Sequence, residues 1–205
     1  MRGPMNELIR MVAIVACLVV VAGCTVPATF SVPIRSGEAV KGADSHHYVE
    51  TCIEAERDGR LEAAEESCQQ AVATTGLSDS LKSQRLYNLA RIKRRLGKDD
   101  QAVDLFRQSL TIEQHQPQPS QKKIGRRLAG LAIVYGKLDR FDDGLPYVQQ
   151  LIPLADVYPE REKRTLAGIF YFYSQELQDK APPAVLKQLR KKSLELGFVA
   201  EKGER

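Results

Sequence analysis

The chain has 205 residues, 43% of them apolar and 27% charged, and a formal charge of +4, so it can build a core and its charge is too balanced to call for a polyanionic partner. With no tryptophan and only 6% aromatics it is not an aromatic-rich β design, and its apolar content excludes disorder by composition. Residues Met1 to Arg10 carry Arg2 and Arg10, and the thirteen residues from Met11 to Gly23 carry no charge. A bilayer-spanning helix needs about 20 apolar residues, whereas a signal-peptide core needs roughly 7 to 15. A signal peptide over 1–23 is predicted.

Val21-Ala22-Gly23-Cys24 resembles the lipobox of bacterial lipoproteins, a hydrophobic residue and two small ones before a cysteine that becomes the lipidated first residue. The resemblance implies Cys24 as the acceptor of a lipid anchor. Two alternatives stand beside it: Ile14-Val15-Ala16-Cys17 satisfies a relaxed lipobox with only six apolar residues ahead of Cys17, and the segment is also readable as an uncleaved anchor. Thr25, rather than an aspartate, follows Cys24, which in the lipoprotein resemblance directs the protein to the outer membrane of a diderm bacterium, on its periplasmic face. Cleavage after Gly23 removes Arg2, Arg10 and Glu7 and leaves +3. Residues 24–44, with Pro27, Pro33, Gly37 and Gly42 and no periodicity, read as a flexible tether.

Beyond the tether the chain repeats. Arg57–Val72 (RDGRLEAAEESCQQAV), Arg95–Leu110 (RLGKDDQAVDLFRQSL) and Lys137–Ile152 (KLDRFDDGLPYVQQLI) align without gaps, each after a segment of apolar helical periodicity. In the second copy Leu86, Leu89, Ala90, Ile92 and Leu96 mark one helical stripe, Gly97 stops it, and Ala102, Leu105, Phe106, Ser109 and Leu110 mark the next. A fourth first helix is predicted over Thr165–Leu177, echoing Arg127–Leu138, with Pro182-Pro183 interrupting the place where its partner would begin. Ala184–Leu196 reads as a polar-faced capping helix.

This pattern resembles the tetratricopeptide repeat (TPR), carried by Tyr48, Cys52, Gly59, Ala64, Cys68 and Ala71, then Leu86, Leu89, Ala90, Gly97, Ala102 and Phe106, then Leu128, Leu131, Ala132, Tyr135 and Phe141. The resemblance implies an all-α, TPR-like helical-hairpin solenoid, a right-handed superhelix of three to four repeats over 45–180, with a capping helix and tail over 181–205. Gly59 and Gly97 lie 38 residues apart, and Gly97 and Asp139 lie 42 apart, against about 34 in the plain repeat, so the second helices or their loops are longer. Asp139 in place of the turn glycine, Gly144 in place of a close-contact alanine and Pro146 early in a second helix predict poorer packing of the third copy.

Cys52 and Cys68 lie eight residues to either side of Arg60, at one height on facing helices, and a disulfide between them is predicted to stabilise the first hairpin by about 3 kcal/mol. Two reduced core cysteines are the alternative. His46-His47 reads as an exposed helix start and His115 as a solvated loop residue, so neither offers a metal site. No nucleophile elbow, phosphate-binding glycine loop or paired metalloprotease histidines occurs, and no catalytic residue, cofactor or small-molecule substrate is predicted. The basic runs Arg91–Arg95, Lys122–Arg127 and Lys187–Lys192 read as solvated helix faces, the last with anionic headgroups as an alternative, and nucleic acid is not expected.

In the repeat resemblance, fixed positions of each first helix line the concave face. Here they hold Tyr87, Asn88, Arg91 and Arg94, then Arg126, Ala129, Gly130 and Ile133, then Arg164, Ala167, Gly168 and Tyr171. Of these, Tyr87, Asn88, Arg91, Arg94, Arg126, Ile133, Arg164 and Tyr171 are expected to bind a protein or peptide client of the cell envelope, with an arginine-rich rim meeting an acidic or amphipathic segment. The function implied is that of a non-enzymatic, lipid-anchored periplasmic adaptor, such as a pilotin for pilus or secretion assembly or a scaffold for cell-wall enzymes. A regulatory subunit activating an envelope enzyme is the alternative.

Overall fold

Each long apolar stripe becomes one helix, and the helices pair in chain order. The structure, a computed structural model, describes residues 44–198 and contains there α1 (Asp44–Arg57), α2 (Leu61–Ala73), α3 (Asp79–Arg95), α4 (Asp99–Gln114), α5 (Gln121–Lys137), α6 (Phe141–Leu151), a 3-10 helix (Ile152–Val157), α7 (Glu160–Glu176) and α8 (Pro183–Glu195). The described residues hold eight α-helices and no strand. Helices α1 and α2, α3 and α4, α5 and α6, and α7 and α8 form four successive hairpins, each packed on the next. Cys24, the predicted signal peptide and nearly all of the tether lie outside the described residues.

The first three hairpins turn by one device. Gly59, Gly97 and Asp139 have φ of +77°, +73° and 56°, the left-handed region that ends a helix. Just after them the N–H groups of Arg60, Lys98 and Arg140 donate back to the carbonyls of Ala55, Lys93 and Tyr135, each at 2.9 Å. These bonds satisfy carbonyls that a helix end would otherwise leave open. Asp139 serves because aspartate is among the few non-glycine residues that tolerate this conformation. Two entries into first helices are equally local: the Ser78 and Ser120 hydroxyls accept from the N–H groups of Leu81 and Lys123 at 3.4 Å.

The third repeat is shortened but not loosened. Pro146 lacks the N–H that would bond to Asp142, and α6 runs only 11 residues against 16 in α4. The chain then tightens into the 3-10 helix, which carries Ile152 and Ala155, followed by Tyr158, into the core. Gly144 keeps α6 close to its neighbours: a Cβ there would overlap the side chain of Tyr173, whose hydroxyl donates to the Ala132 carbonyl at 2.8 Å.

The end of the chain differs from expectation. Pro182 and Pro183 do not interrupt a second helix; Pro183 opens α8, at the first-turn position where a missing N–H costs nothing. Leu186, Leu189, Ser193 and Leu196 turn inward, and the Ser193 hydroxyl donates to the Ala167 carbonyl of α7 at 3.0 Å. Helix α8 therefore pairs with α7 as a fourth hairpin and is the last helix of the described residues. Gly197 (φ +81°) then turns the chain back so that the Phe198 ring stacks on Tyr171, with centroids 4.3 Å apart. In the first hairpin a disulfide joins Cys52 and Cys68, whose Cα atoms are 5.3 Å apart.

Candidate protein-binding groove

Helical spacing alone brings the candidate residues together. Tyr87, Arg91 and Arg94 lie at intervals of four and three on α3, as do Arg126, Ala129, Gly130 and Ile133 on α5, so each set shares a face. With Glu162, Thr165 and Leu166 of α7, these faces line a pocket of about 180 Å³, closed below by Phe106 and at one end by Tyr158. Gly130 lets Phe106 of α4 rise against the α5 backbone, since a Cβ there would stand 2.7 Å from its ring. Tyr87 is set by its neighbours: its ring centroid lies 5.8 Å from that of Phe106, and the guanidinium carbons of Arg127 and Arg91 sit 5.1 and 5.9 Å from it.

Beneath the pocket lies a charged network sealed from water. Arg127 is 1% and Glu113 2% exposed, 3.5 Å apart. Arg127 Nε donates to the Ser109 hydroxyl at 2.7 Å, Arg127 Nη2 to the Ser83 hydroxyl at 2.9 Å, and Ser83 donates to Glu113 at 3.2 Å. Burial lowers the pKa of Arg127, opposed by the Glu113 carboxylate. The network ties α3, α4 and α5 together below Tyr87. No buried side-chain nitrogen or oxygen among the described residues lacks a hydrogen-bond partner.

The rim is largely self-neutralised. Arg126 grips Glu162 through Nε at 3.0 Å and Nη2 at 2.8 Å, which raises the pKa of Arg126 and lowers that of Glu162. Arg91 holds Glu56 at 2.5 Å, and Arg95 reaches the same carboxylate at 3.3 Å. Burial pushes the Tyr158 phenol up to about 12, and its hydroxyl donates to the Lys122 carbonyl at 2.6 Å. The side chain of Arg94, half-buried in the wall, makes no ion pair or hydrogen bond with the described residues.

Of the eight residues expected to bind, Tyr87, Arg91, Arg94, Arg126 and Ile133 meet in this pocket and three do not. Asn88 accepts a hydrogen bond from Gln84 at 3.1 Å along its own helix, Arg164 is exposed away from the pocket lining, and Tyr171 is covered by Phe198. The rim holds Arg91, Arg94 and Arg126, and the structure adds that two of these arginines hold carboxylates of this chain. The basic runs are compensated in part: Lys93 holds Glu65, Lys192 holds Asp156 at 2.8 Å, and Arg127 is not a surface charge at all. Sequence reasoning missed Phe106, Tyr158, Glu162 and Thr165 as pocket residues. For Glu162 a signal existed, an acidic residue one repeat beyond Arg126 in a matching first helix.

Residues 83–116, which hold most of α3, its turn and α4, match the tetratricopeptide repeat family. No curated protein matches the chain. Among solved structures, it is similar to the nearly identical TPR-like repeats of a kinesin light chain candidate from Podosopora anserina, at 15% identity over 76% of this chain and 75% of that one, with a TM-score of 0.58. It is also similar to BtubC (BKLC) from P. vanneervenii, at 15% identity over 80% of this chain and 66% of that one, with a TM-score of 0.57. Likeness at this identity is likeness of fold: the protein is a TPR-like helical solenoid, an architecture whose concave surfaces serve protein–protein interaction.

Proposed function

We propose that the protein is a non-enzymatic adaptor that binds a segment of a client protein in the groove between α3, α5 and α7. The observation that supports this most is the pocket itself, in which an aromatic side chain, a small apolar floor and a half-buried cation converge from three successive hairpins. Its volume of about 180 Å³ is below the roughly 300 to 1,000 Å³ of sites that enclose drug-sized molecules, and it suits one or two side chains of a peptide. The likeness of Val21–Cys24 to a lipobox supports the further part of this proposal, that the adaptor is held on the periplasmic face of the outer membrane through lipidated Cys24, with envelope proteins as its clients: components of pilus or secretion assembly, or cell-wall enzymes. Activation of an envelope enzyme is the second reading, separated from the first by a change in the client's catalytic rate on mixing.

The test is affinity capture of envelope proteins on the native chain and on Ala129→Phe, which fills the pocket from a half-buried position of α5. Clients retained by the native chain and lost by the variant, with unchanged circular dichroism, identify the groove as the binding surface. Equal capture by both removes it. Mass spectrometry of the mature N-terminus decides the anchor: an acylated Cys24 is expected, and an intact Met1 or an unlipidated terminus refutes it.

A further inference from the structure

Four charged side chains line the pocket, Arg91, Arg94, Arg126 and Glu162, and three of them are already committed. Arg126 and Glu162 hold each other, and Arg91 shares Glu56 with Arg95. Arg94 alone of the four has no carboxylate within ion-pair distance among the described residues. Asp99 and Glu56 act on it only from farther away, and Asp99 is itself held by Lys137 at 2.7 Å. Burial lowers its pKa, the mark of a guanidinium that has lost water without gaining an anion in exchange.

We propose that Arg94 is the anchor of the groove for one Asp or Glu side chain of the client segment, with an apolar neighbour of that residue seated against Ala129 and Ile133. This rests on the groove reading above and narrows it. A single uncommitted cation matches a single carboxylate, not the acidic run that three open arginines would attract. The carboxylate is assigned to a side chain rather than a chain terminus because Arg94 lies in the last turn of α3, an end that presents carbonyls and no free N–H groups to form a backbone nest beside it. The apolar companion follows from the floor, where the Phe106 ring rises against Gly130 and Ala129 and Ile133 line the pocket beside it.

The experiment is selection of random peptides displayed on phage against the full chain in detergent, then anisotropy titration of a selected peptide labelled with a fluorophore. Selected sequences are expected to share one Asp or Glu beside a bulky apolar residue. Arg94→Gln is expected to weaken the peptide by about 10- to 100-fold, the range for a charge-assisted hydrogen bond. Arg94→Lys, which keeps the charge but loses the planar fork, should lie between, and it separates lost recognition from lost folding. Lys191→Gln on α8, outside the pocket, should change binding by less than about 3-fold, in line with an exposed charge already paired with Glu195. If no sequence is selected, if selected sequences lack an acidic residue, or if Arg94→Gln binds as well as the native chain, the proposal is overturned. When Ala129→Phe blocks such a peptide and Arg94→Gln does not, the groove reading stands and only the anchor fails; when neither variant weakens it, both fail.

Discussion

The first hairpin and the last two are held by different means. Between α1 and α2 the buried residues are small, Cys52, Ala55, Ala64 and Cys68, and they meet Leu89 and Ile92 of the next repeat, with Leu96 and Leu105 partly buried beside them. Between α5 and α8 the core is built on Tyr135, Phe141, Tyr158, Phe170 and Tyr173 with Leu128, Leu131, Leu177 and Leu189. The contrast extends to the joints. Helix α2 meets α3 and the start of α4 through Glu65 with Lys93 and Lys98, and through Arg85, which donates to the Ala71 carbonyl at 2.9 Å, whereas α5 meets α7 through packed rings and leucines with an ion pair, Arg126 with Glu162, at the rim. Where side chains are too small to bury much area, a covalent link and charged hydrogen bonds supply what packing supplies elsewhere.

The largest expected effect falls on the junction between these regions. Glu113→Ala leaves Arg127 charged and enclosed without its carboxylate, and breaking a buried pair of this kind costs about 3 to 5 kcal/mol. Urea unfolding of the variant should show that loss, and a change under about 1 kcal/mol would mean that water reaches the network. Next comes the staple. Cys52→Ala with Cys68→Ala should cost about 3 kcal/mol and, more tellingly, should speed hydrogen exchange in α1 and α2 while leaving α5 to α8 protected. Uniform acceleration along the chain would show that the two regions unfold as one, and the comparison would fail.

Gly144→Ala tests the aromatic side. The new methyl meets Tyr173, whose ring is held by its hydrogen bond to Ala132, and the overpacking should cost about 1 to 3 kcal/mol, read as a lower melting temperature with α1–α2 exchange unchanged. The smallest effect is on acid sensitivity. Burial would raise the Glu65 pKa, but hydrogen bonds from Lys93 and Lys98 outweigh it, and Arg126 does the same for Glu162, so both lie below the ordinary carboxyl value of 4.5. A depressed folded pKa gives stabilisation that is complete above the unfolded value and is lost as pH falls through the folded one. Acid should therefore weaken the α2–α3 and α5–α7 joints below about pH 4.5. Glu65→Gln should flatten that limb for the first hairpin alone, as followed by exchange at α2.

Much of this architecture was legible because it is written in local residues. Gly59, Gly97 and Asp139 mark the turns, and the periodic stripes of α3 and α5 mark the helices that form the groove walls. What stayed hidden depends on facts that spacing does not hold. The Lys122–Arg127 run reads as a solvated face, yet Arg127 points inward because Ser83, Ser109 and Glu113 of two other helices receive it. Arg126 reads as an open cation until α7 brings Glu162 against it. Pro182-Pro183 reads as a break because proline stops helices from within, and only the pairing of α8 with α7 reveals it as a beginning. Tyr171 fits the repeat template, but the turn at Gly197 covers it with Phe198.

The bond between Cys52 and Cys68 has a mechanical side. A pull applied through the residues preceding α1 enters the solenoid at a hairpin packed on small side chains, which without its disulfide would let the helix peel away turn by turn. The covalent crossing stops that peeling after Asp44–Thr51 and passes the load directly into α2, and from there through Glu65 and Arg85 into α3. Under tension the first hairpin behaves as a clasp: the strain must then shear several charged joints together instead of unzipping them one at a time, and the groove behind them keeps its shape while its moorings are tugged.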